Sequence, residues 1–410
     1  MQNDWKETDI GNIPAHWIVT SLDVISGLIT DGSHFSPKGI TNGRYMASVK
    51  DMTYDRFDFT DCKQILEDDF QKLKSSYCSP QKGDILISKD GANCLDIIFV
   101  FDQEEEIVIL SSIAIVRLKP DYDPHFYRYY LLSPIAQGIM RDWFISGSAI
   151  PRVVLKDFRK VPVPQLPYLE QKAIAAVLSS FDDKIELLRR QNKTLETIAQ
   201  TIFKEWFVKN PDRSWRKRRL GDVAVNIKCG VSAERVKDHD CYVGLEHIER
   251  KHLALYNWGH TDELESNKSL FSRGDILFGK LRVYFHKVCF APVAGICSTD
   301  ILVIRPVKPT YFAFCLLWFF SEDVVRYADG SSTGTRMPRA NWDILARYEI
   351  WVPDDATLME FDLLTKPMIA KIEQNVLSIQ SLSELRDLLL PKLMKGEIRV
   401  KDTDNFVEKP

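Results

Sequence analysis

The chain has 410 residues, of which 45% are hydrophobic and 27% charged, with a formal net charge of −3. This is the balance of a soluble globular protein long enough for two or three domains, and it excludes a disordered chain. The net charge gives no overall sign of a nucleic-acid binder, although binding depends on where charges sit rather than on their sum. The polar N-terminus MQNDWKETDI carries no secretory pattern, and the longest apolar run, Tyr311–Phe320, is too short for a bilayer and reads as a buried helix. Eight cysteines without a Cys-x-x-Cys pair indicate neither a zinc site nor a disulfide framework, so the expected setting is cytoplasmic, without membrane contact.

In chain order, residues 1–164 read as strand-rich. Asp84–Ile87, Ile97–Phe101 and Ile113–Val116 are short apolar runs separated by Gly, Asp and Ser, and a helix is expected around His125–Leu132. Val161-Pro-Val-Pro164 and Pro167 end this region, because proline resists helix. From Tyr168 to Phe207 there is neither Pro nor Gly. Leu178, Phe181, Ile185, Leu188, Asn192, Leu195, Ala199, Ile202 and Trp206 recur at alternating steps of three and four, the seam of a coiled coil. Such a helix is about 60 Å long at ~1.5 Å per residue and needs a partner helix.

Lys209–Val352 repeats the strand-rich pattern. A second helical stretch then spans about Thr357–Lys395 with the seam Met368, Ile372, Asn375, Ile379, Leu382, Arg386, Leu389 and Leu393. Pro367 is expected to divide it into a short and a long helix. Gly396 is expected to stop it, with a frayed tail beyond Val400. The basic cluster Arg213–Arg219 reads either as a solvated linker or as a phosphate contact.

The two halves are a tandem duplication. KGDILISK at 82–89 returns as RGDILFGK at 273–280, and Gly147-Ser-Ala-Ile-Pro-Arg152 returns as Gly334-Thr-Arg-Met-Pro-Arg339. Lys184-Ile-Glu186 returns as Lys371-Ile-Glu373, and Trp17 with Leu22 returns as Trp215 with Leu220. The fold class that follows is α+β: two strand-rich α/β domains joined by two long helices in an antiparallel coiled coil, repeated about a pseudo-twofold axis.

Catalytic motifs are absent. Gly274–Lys280 matches the start of a phosphate-binding loop but has Leu281 where Ser or Thr must follow, and its middle reads as strand. There is no dinucleotide or S-adenosylmethionine fingerprint. Asp240 with Glu249-x-Lys251 is a short nuclease-like pattern lacking a counterpart in the first half, and the histidines, His247 and His252 included, form no metal-ligand spacing. What remains is recognition chemistry. Each Gly-Asp-Ile-Leu strand runs into a loop with a lysine at the same place, Lys89 and Lys280. Asp90 and Asn93 follow the first, Arg282 and Tyr284 the second. Lys and Arg contact phosphate and read guanine, Asn reads adenine, and Asp accepts from cytosine. Ser148 and Arg152, beside Thr335, Arg336 and Arg339, offer small residues for close approach and arginines for phosphate. Ser33 and His34 lie in a turn-rich loop able to meet a ligand.

These landmarks resemble the specificity subunits of Type I restriction–modification systems. The resemblance rests on Gly11-Asn-Ile-Pro-Ala-His-Trp17, Asp31-Gly-Ser-His-Phe35, the two Gly-Asp-Ile-Leu strands, Leu169-Glu-Gln-Lys-Ala-Ile174 and Leu390-Pro-Lys-Leu-Met-Lys-Gly-Glu-Ile398. It implies target-recognition domains at 1–164 and 209–353, spacer helices at 165–208 and 354–400, and a tail at 401–410. It implies a non-catalytic subunit reading an asymmetric two-part site in double-stranded DNA across a set gap. The helices would dock two methyltransferase subunits that carry S-adenosylmethionine, joined by restriction subunits that use ATP and Mg, while this chain itself holds no cofactor or metal. A coiled-coil scaffold and a stand-alone nuclease using Asp240, Glu249 and Lys251 are the alternative readings.

Overall fold

The structure, a computed structural model, describes residues 5–146, 151–212, 214–261, 266–330 and 338–400. Contacts divide the chain into two units: Met1–Asp182 with Glu384–Pro410, and Asp183–Ser383. Both boundaries fall inside long helices, so each unit holds a stretch of each.

The first unit is built on four antiparallel strands, β1 (Ser26–Asp31), β2 (Ile85–Ser88), β3 (Ile98–Val100) and β4 (Ile113–Leu118), ordered β1-β4-β2-β3. Side chains alternate across a strand, and the alternation feeds two cores. Ile85, Ile87, Ile98, Ala114 and Val116 face α1 (Pro124–Leu132), α2 (Pro134–Phe144) and the start of α3 (Tyr168–Phe203). Leu86, Phe99, Ile113 and Ile115 face a layer carrying Ala47, Phe57 and Ile109. Sheets covered on both faces read as continuous apolar runs, as these do.

The second unit repeats the plan. Strands β5 (Ala224–Asn226), β6 (Ile276–Gly279), β7 (Val288–Phe290) and β8 (Ile301–Pro306) are ordered β5-β8-β6-β7, again antiparallel. The wholly apolar α4 (Phe312–Phe319) and α5 (Glu322–Gly330) occupy the places of α1 and α2, and α6 (Asp355–Met394) follows. Arg216–Arg219 is neither linker nor loop: it pairs with Glu349–Val352 as a strand with its four side chains exposed. Arg213 lies outside the described residues.

The duplicated Gly-Asp-Ile-Leu motif is a turn with a buried fork. Gly83 and Gly274 take φ of +90° and +86°, a region that disfavours side chains. Asp84 receives both arms of Arg117, at 2.8 Å each, and the backbone amide of Gln81. Asp275 likewise receives Arg305, at 2.6 and 2.8 Å, and the amide of Ser272.

In the first unit, Ile174, Ala175 and Leu178 of α3 share a core with Leu390, Leu393 and Met394 of α6. In the second, Ile185, Leu188, Ala199 and Phe203 pack with Phe361, Ile369, Ile372, Val376 and Ile379. There Phe207 meets Phe361 at 4.8 Å while Asn192 meets Asn375, so the two segments run antiparallel. The seam positions Phe181, Leu195, Ile202, Met368, Leu382, Arg386 and Leu389 are half-buried. Burial extends past a strict seam to Phe203, Phe207, Ile369 and Val376.

One expectation is corrected. Pro367 does not divide the second helix, since α6 runs unbroken from Asp355 to Met394. Pro367 and Leu363, whose carbonyl it leaves without a donor, are both exposed, so water can take the freed group. Gly396 does end the helix. At φ +70° it closes a double cap in which Glu397 N donates to Lys392 O and Gly396 N to Leu393 O.

Candidate nucleic-acid interface

The two loops that follow β2 and β6 are held by the same backbone bonds. Lys89 N donates to Ser112 O and Lys280 N to Asp300 O. Gly91 N donates to Pro151 O and Arg282 N to Pro338 O. Val153 N donates to Lys89 O and Ala340 N to Lys280 O. Asp90 bridges Arg152, and Leu281 bridges Arg339. Each unit therefore zips its strand-end loop to its Pro-Arg segment in one register, with different side chains on the shared frame.

In the first unit the frame gathers Ser33, His34, Lys89, Asp90 and Arg152 around Asp31. Ser33 bridges Leu110 through its backbone, and its hydroxyl closes a tight turn with Phe35. The exposed His34 ring lies 3.7 Å from Asp31. Arg152 Nε is 3.2 Å from Asp90 Oδ1. Lys89 departs from the expectation of a phosphate contact. It is 1% exposed, with its ammonium 3.2 Å from Asp31 and 3.6 Å from Asp90. A buried charge must be paired, and this pairing ties β1 to the loop. Asn93 is exposed at the tip. Ser148 lies outside the described residues.

In the second unit Leu281 stands where the first has Asp90, and the carboxylate has moved to Asp300, where the first has Ser112. Arg339 Nε donates to Asp300 Oδ1 at 2.8 Å, which holds that carboxyl below the ordinary aspartate range. Lys280 is half-buried, while Arg282 and Tyr284 are exposed. Thr335 and Arg336 lie outside the described residues. Sequence reasoning missed Asp300 and Arg250, whose guanidinium stacks 3.8 Å over the Phe285 ring. Neither belongs to a repeated motif, so no local signal pointed to them.

The nuclease-like pattern does not assemble. Lys251 is ion-paired with Glu322 at 2.9 Å, and Glu249 accepts from Asn257 at 2.9 Å. Among the described residues no three His, Cys, Asp or Glu are grouped to hold a metal, and no helix is long and apolar enough to cross a membrane. Within the loop-like stretch Gly274–Lys280, Ile276–Gly279 is strand and Gly274 sits in the turn before it.

A family model described as Type I restriction modification DNA specificity domain matches residues 38–197. The Type I restriction enzyme MjaIX specificity subunit of Methanocaldococcus jannaschii is 27% identical, with 98% of each chain covered. The Type I restriction enzyme EcoDI specificity subunit of Escherichia coli is 23% identical over 62% of this chain and 66% of its own. The crystal structure of the Type-I restriction-modification system S subunit from M. genitalium aligns at a TM-score of 0.55 and 16% identity, covering 92% of this chain and 96% of that one, a likeness of fold. The resemblance read from the sequence motifs stands.

Proposed function

We propose, from this similarity to Type I specificity subunits, that the chain is the DNA-reading subunit of such a system, with each unit contacting one half of a two-part site in double-stranded DNA. The observation that carries the reading is the shared loop frame with unlike side chains. One backbone register presents Asn93 and Arg152 in one unit and Lys280, Arg282, Tyr284 and Arg339 in the other. Backbone positions set register on DNA, and side chains select bases. Ser33, His34 and Asp90 border the first loop, and Ser148, Thr335 and Arg336 belong to the paired Pro-Arg segments by sequence.

In this reading the paired helices set the gap between half-sites and dock two methyltransferase subunits, with restriction subunits joining for cleavage. Support for docking is apolar surface that the fold leaves open on both helices: Leu187, Met359, Leu363, Leu377 and Leu388 are all exposed. The chemistry belongs to those partners, with S-adenosylmethionine on the methyltransferase and ATP and Mg on the restriction subunit. This chain supplies recognition and spacing.

The test is modified-base sequencing of cells expressing the chain with its methyltransferase subunit. The expected result is N6-methyladenine in a new gapped, two-part motif. No new motif, with the partner bound and active, contradicts the reading and favours a coiled-coil scaffold.

A further inference from the structure

Each loop carries a strained turn that a connection alone does not require. Antiparallel strands can be joined by two residues. The link from β6 to β7 instead uses Lys280–Lys287. In the first unit Gly91 (φ +94°) and Leu95 (φ +69°) flank the exposed Asn93. In the second, Arg282 (φ +52°) and His286 (φ +53°) flank the exposed Tyr284. Glycine adopts such angles freely, whereas Leu, Arg and His there are strained.

The surroundings hold these residues in place. Leu95 is buried, its amide donating to Ser88 O and its carbonyl accepting from Gln137. His286 is buried, with Nε2 2.8 Å from Phe320 O, and its carbonyl accepts from the amide of Lys251, itself at φ +58°. A turn held at positive φ on both sides, strained at Leu95 in the first unit and at Arg282 and His286 in the second, anchored beneath and exposed at its centre, is a rigid presenting device.

The presented chemistries differ. The Asn93 amide has no partner among the described residues. The Tyr284 ring lies 4.6 Å from Phe285, which carries Arg250 on its other contact. Arg250 and Arg282 have no carboxylate partner among the described residues. An aromatic tip flanked by two available cations suits a base stack beside phosphates. An amide tip suits the paired donor and acceptor of an adenine edge.

We propose that these two turns are the base-contacting tips, with Asn93 and Tyr284 the specificity-determining side chains of their half-sites, the first by hydrogen bonds to a base edge and the second by packing its ring against a base. This rests on the DNA-reading function proposed above and adds to it which residue decides in each unit.

The experiment uses the full chain bound to its methyltransferase subunit and reads methylated motifs by sequencing for wild type, Asn93→Tyr, Tyr284→Asn and Tyr284→Phe. Each exchange is expected to lower methylation of the original two-part sequence by about tenfold or more and to change the sequence preference at one half-site, leaving the other half-site's preference and the gap unchanged. Tyr284→Phe, which keeps the ring, is expected to retain the wild-type motif. Melting temperatures are expected to stay at the wild-type value, since both side chains are exposed. Wild-type motifs and rates in both exchange variants overturn the assignment, as does a changed sequence preference at both half-sites in an intact complex. A wild-type complex that deposits no two-part motif refutes DNA reading itself, and the tip assignment with it.

Discussion

The two units clasp their helices with opposite chemistry. In the first, Asp182 of α3 accepts from Tyr129 at 2.6 Å, from Arg128 at 3.0 Å and from Arg386 of α6 at 2.7 Å. Those cations hold its carboxyl below the usual aspartate range against the upward push of burial. Carried across by the Lys-Ile-Glu landmark, the equivalent residues in the second unit are Ile369 and Ala199, both buried and apolar. There the clasp is aromatic, with Phe207 at 5.0 Å from Phe314 and 4.8 Å from Phe361. Its polar element lies elsewhere: Asn375 donates to Asn192, which donates to Tyr256. The duplicated topology thus preserves where a helix packs while the means of packing has diverged. Polar pairs placed at non-equivalent positions specify which helix segment matches which, as buried polar residues do in coiled coils.

The largest expected effect on this contrast is Phe207→Ala. It should cost the second unit about 3–5 kcal/mol through the cavity it leaves, read by urea unfolding, with hydrogen exchange in the first unit unchanged. Asp182→Ala should cost the first unit about 3 kcal/mol, because buried Arg128 and half-buried Arg386 lose their carboxylate. The double change Asp182→Ile with Arg386→Ala, which puts the second unit's residues at these two positions, should recover the share of that loss owed to Arg386 while Arg128 stays without its carboxylate. If the double variant is as unstable as the single one, the charged clasp is not interchangeable with an apolar one. The repeated fork gives a control: Asp84→Asn and Asp275→Asn should each cost about 2 kcal/mol, alike within measurement error. Unequal losses would mean that the shared turn is not energetically shared.

A smaller effect comes from Glu196, buried in the second unit with one carboxyl oxygen lacking a hydrogen-bond partner. Its other oxygen accepts from the amide of Leu253, yet burial dominates and pushes its pKa up to about 7. The folded value lies above the unfolded one, so the folded state retains a proton that the unfolded state releases. Stability from this group is full at acid pH and lost as pH rises from about 4.5 to about 7. Glu196→Gln should therefore stabilise the chain by on the order of 2 kcal/mol at pH 8 and by little at pH 4. Nearby His252 works in the other direction, because burial depresses its pKa and its protonation costs stability toward acid pH. Only the difference between variant and wild type isolates Glu196.

Much of this architecture was legible because period and repetition are local signals. The steps of three and four from Leu178 to Trp206 marked a helix that the structure extends through Phe203 into a wider turn at Lys204–Lys209. The paired Gly-Asp-Ile-Leu motifs located β2 and β6. Their reason was not legible, because Arg117 and Arg305 reach the two aspartates from neighbouring strands far along the chain. Lys89 and Lys280 looked alike in sequence. Only the fold shows that Asp31 and Asp90 enclose the first, while the second is half-buried with Leu281 where the first unit has Asp90. Proline chemistry misled at Pro367, because exposure decides whether a helix tolerates the missing donor.

Two units with one backbone frame are proposed to read DNA independently. Arg282→Ala tests it most directly, since the side chain is exposed and outside the core. Methylated motifs from the full complex should show relaxed selection in one half-site, with the other half-site and the gap as in wild type. Equal weakening of both half-sites, with the complex intact, would contradict independent readers.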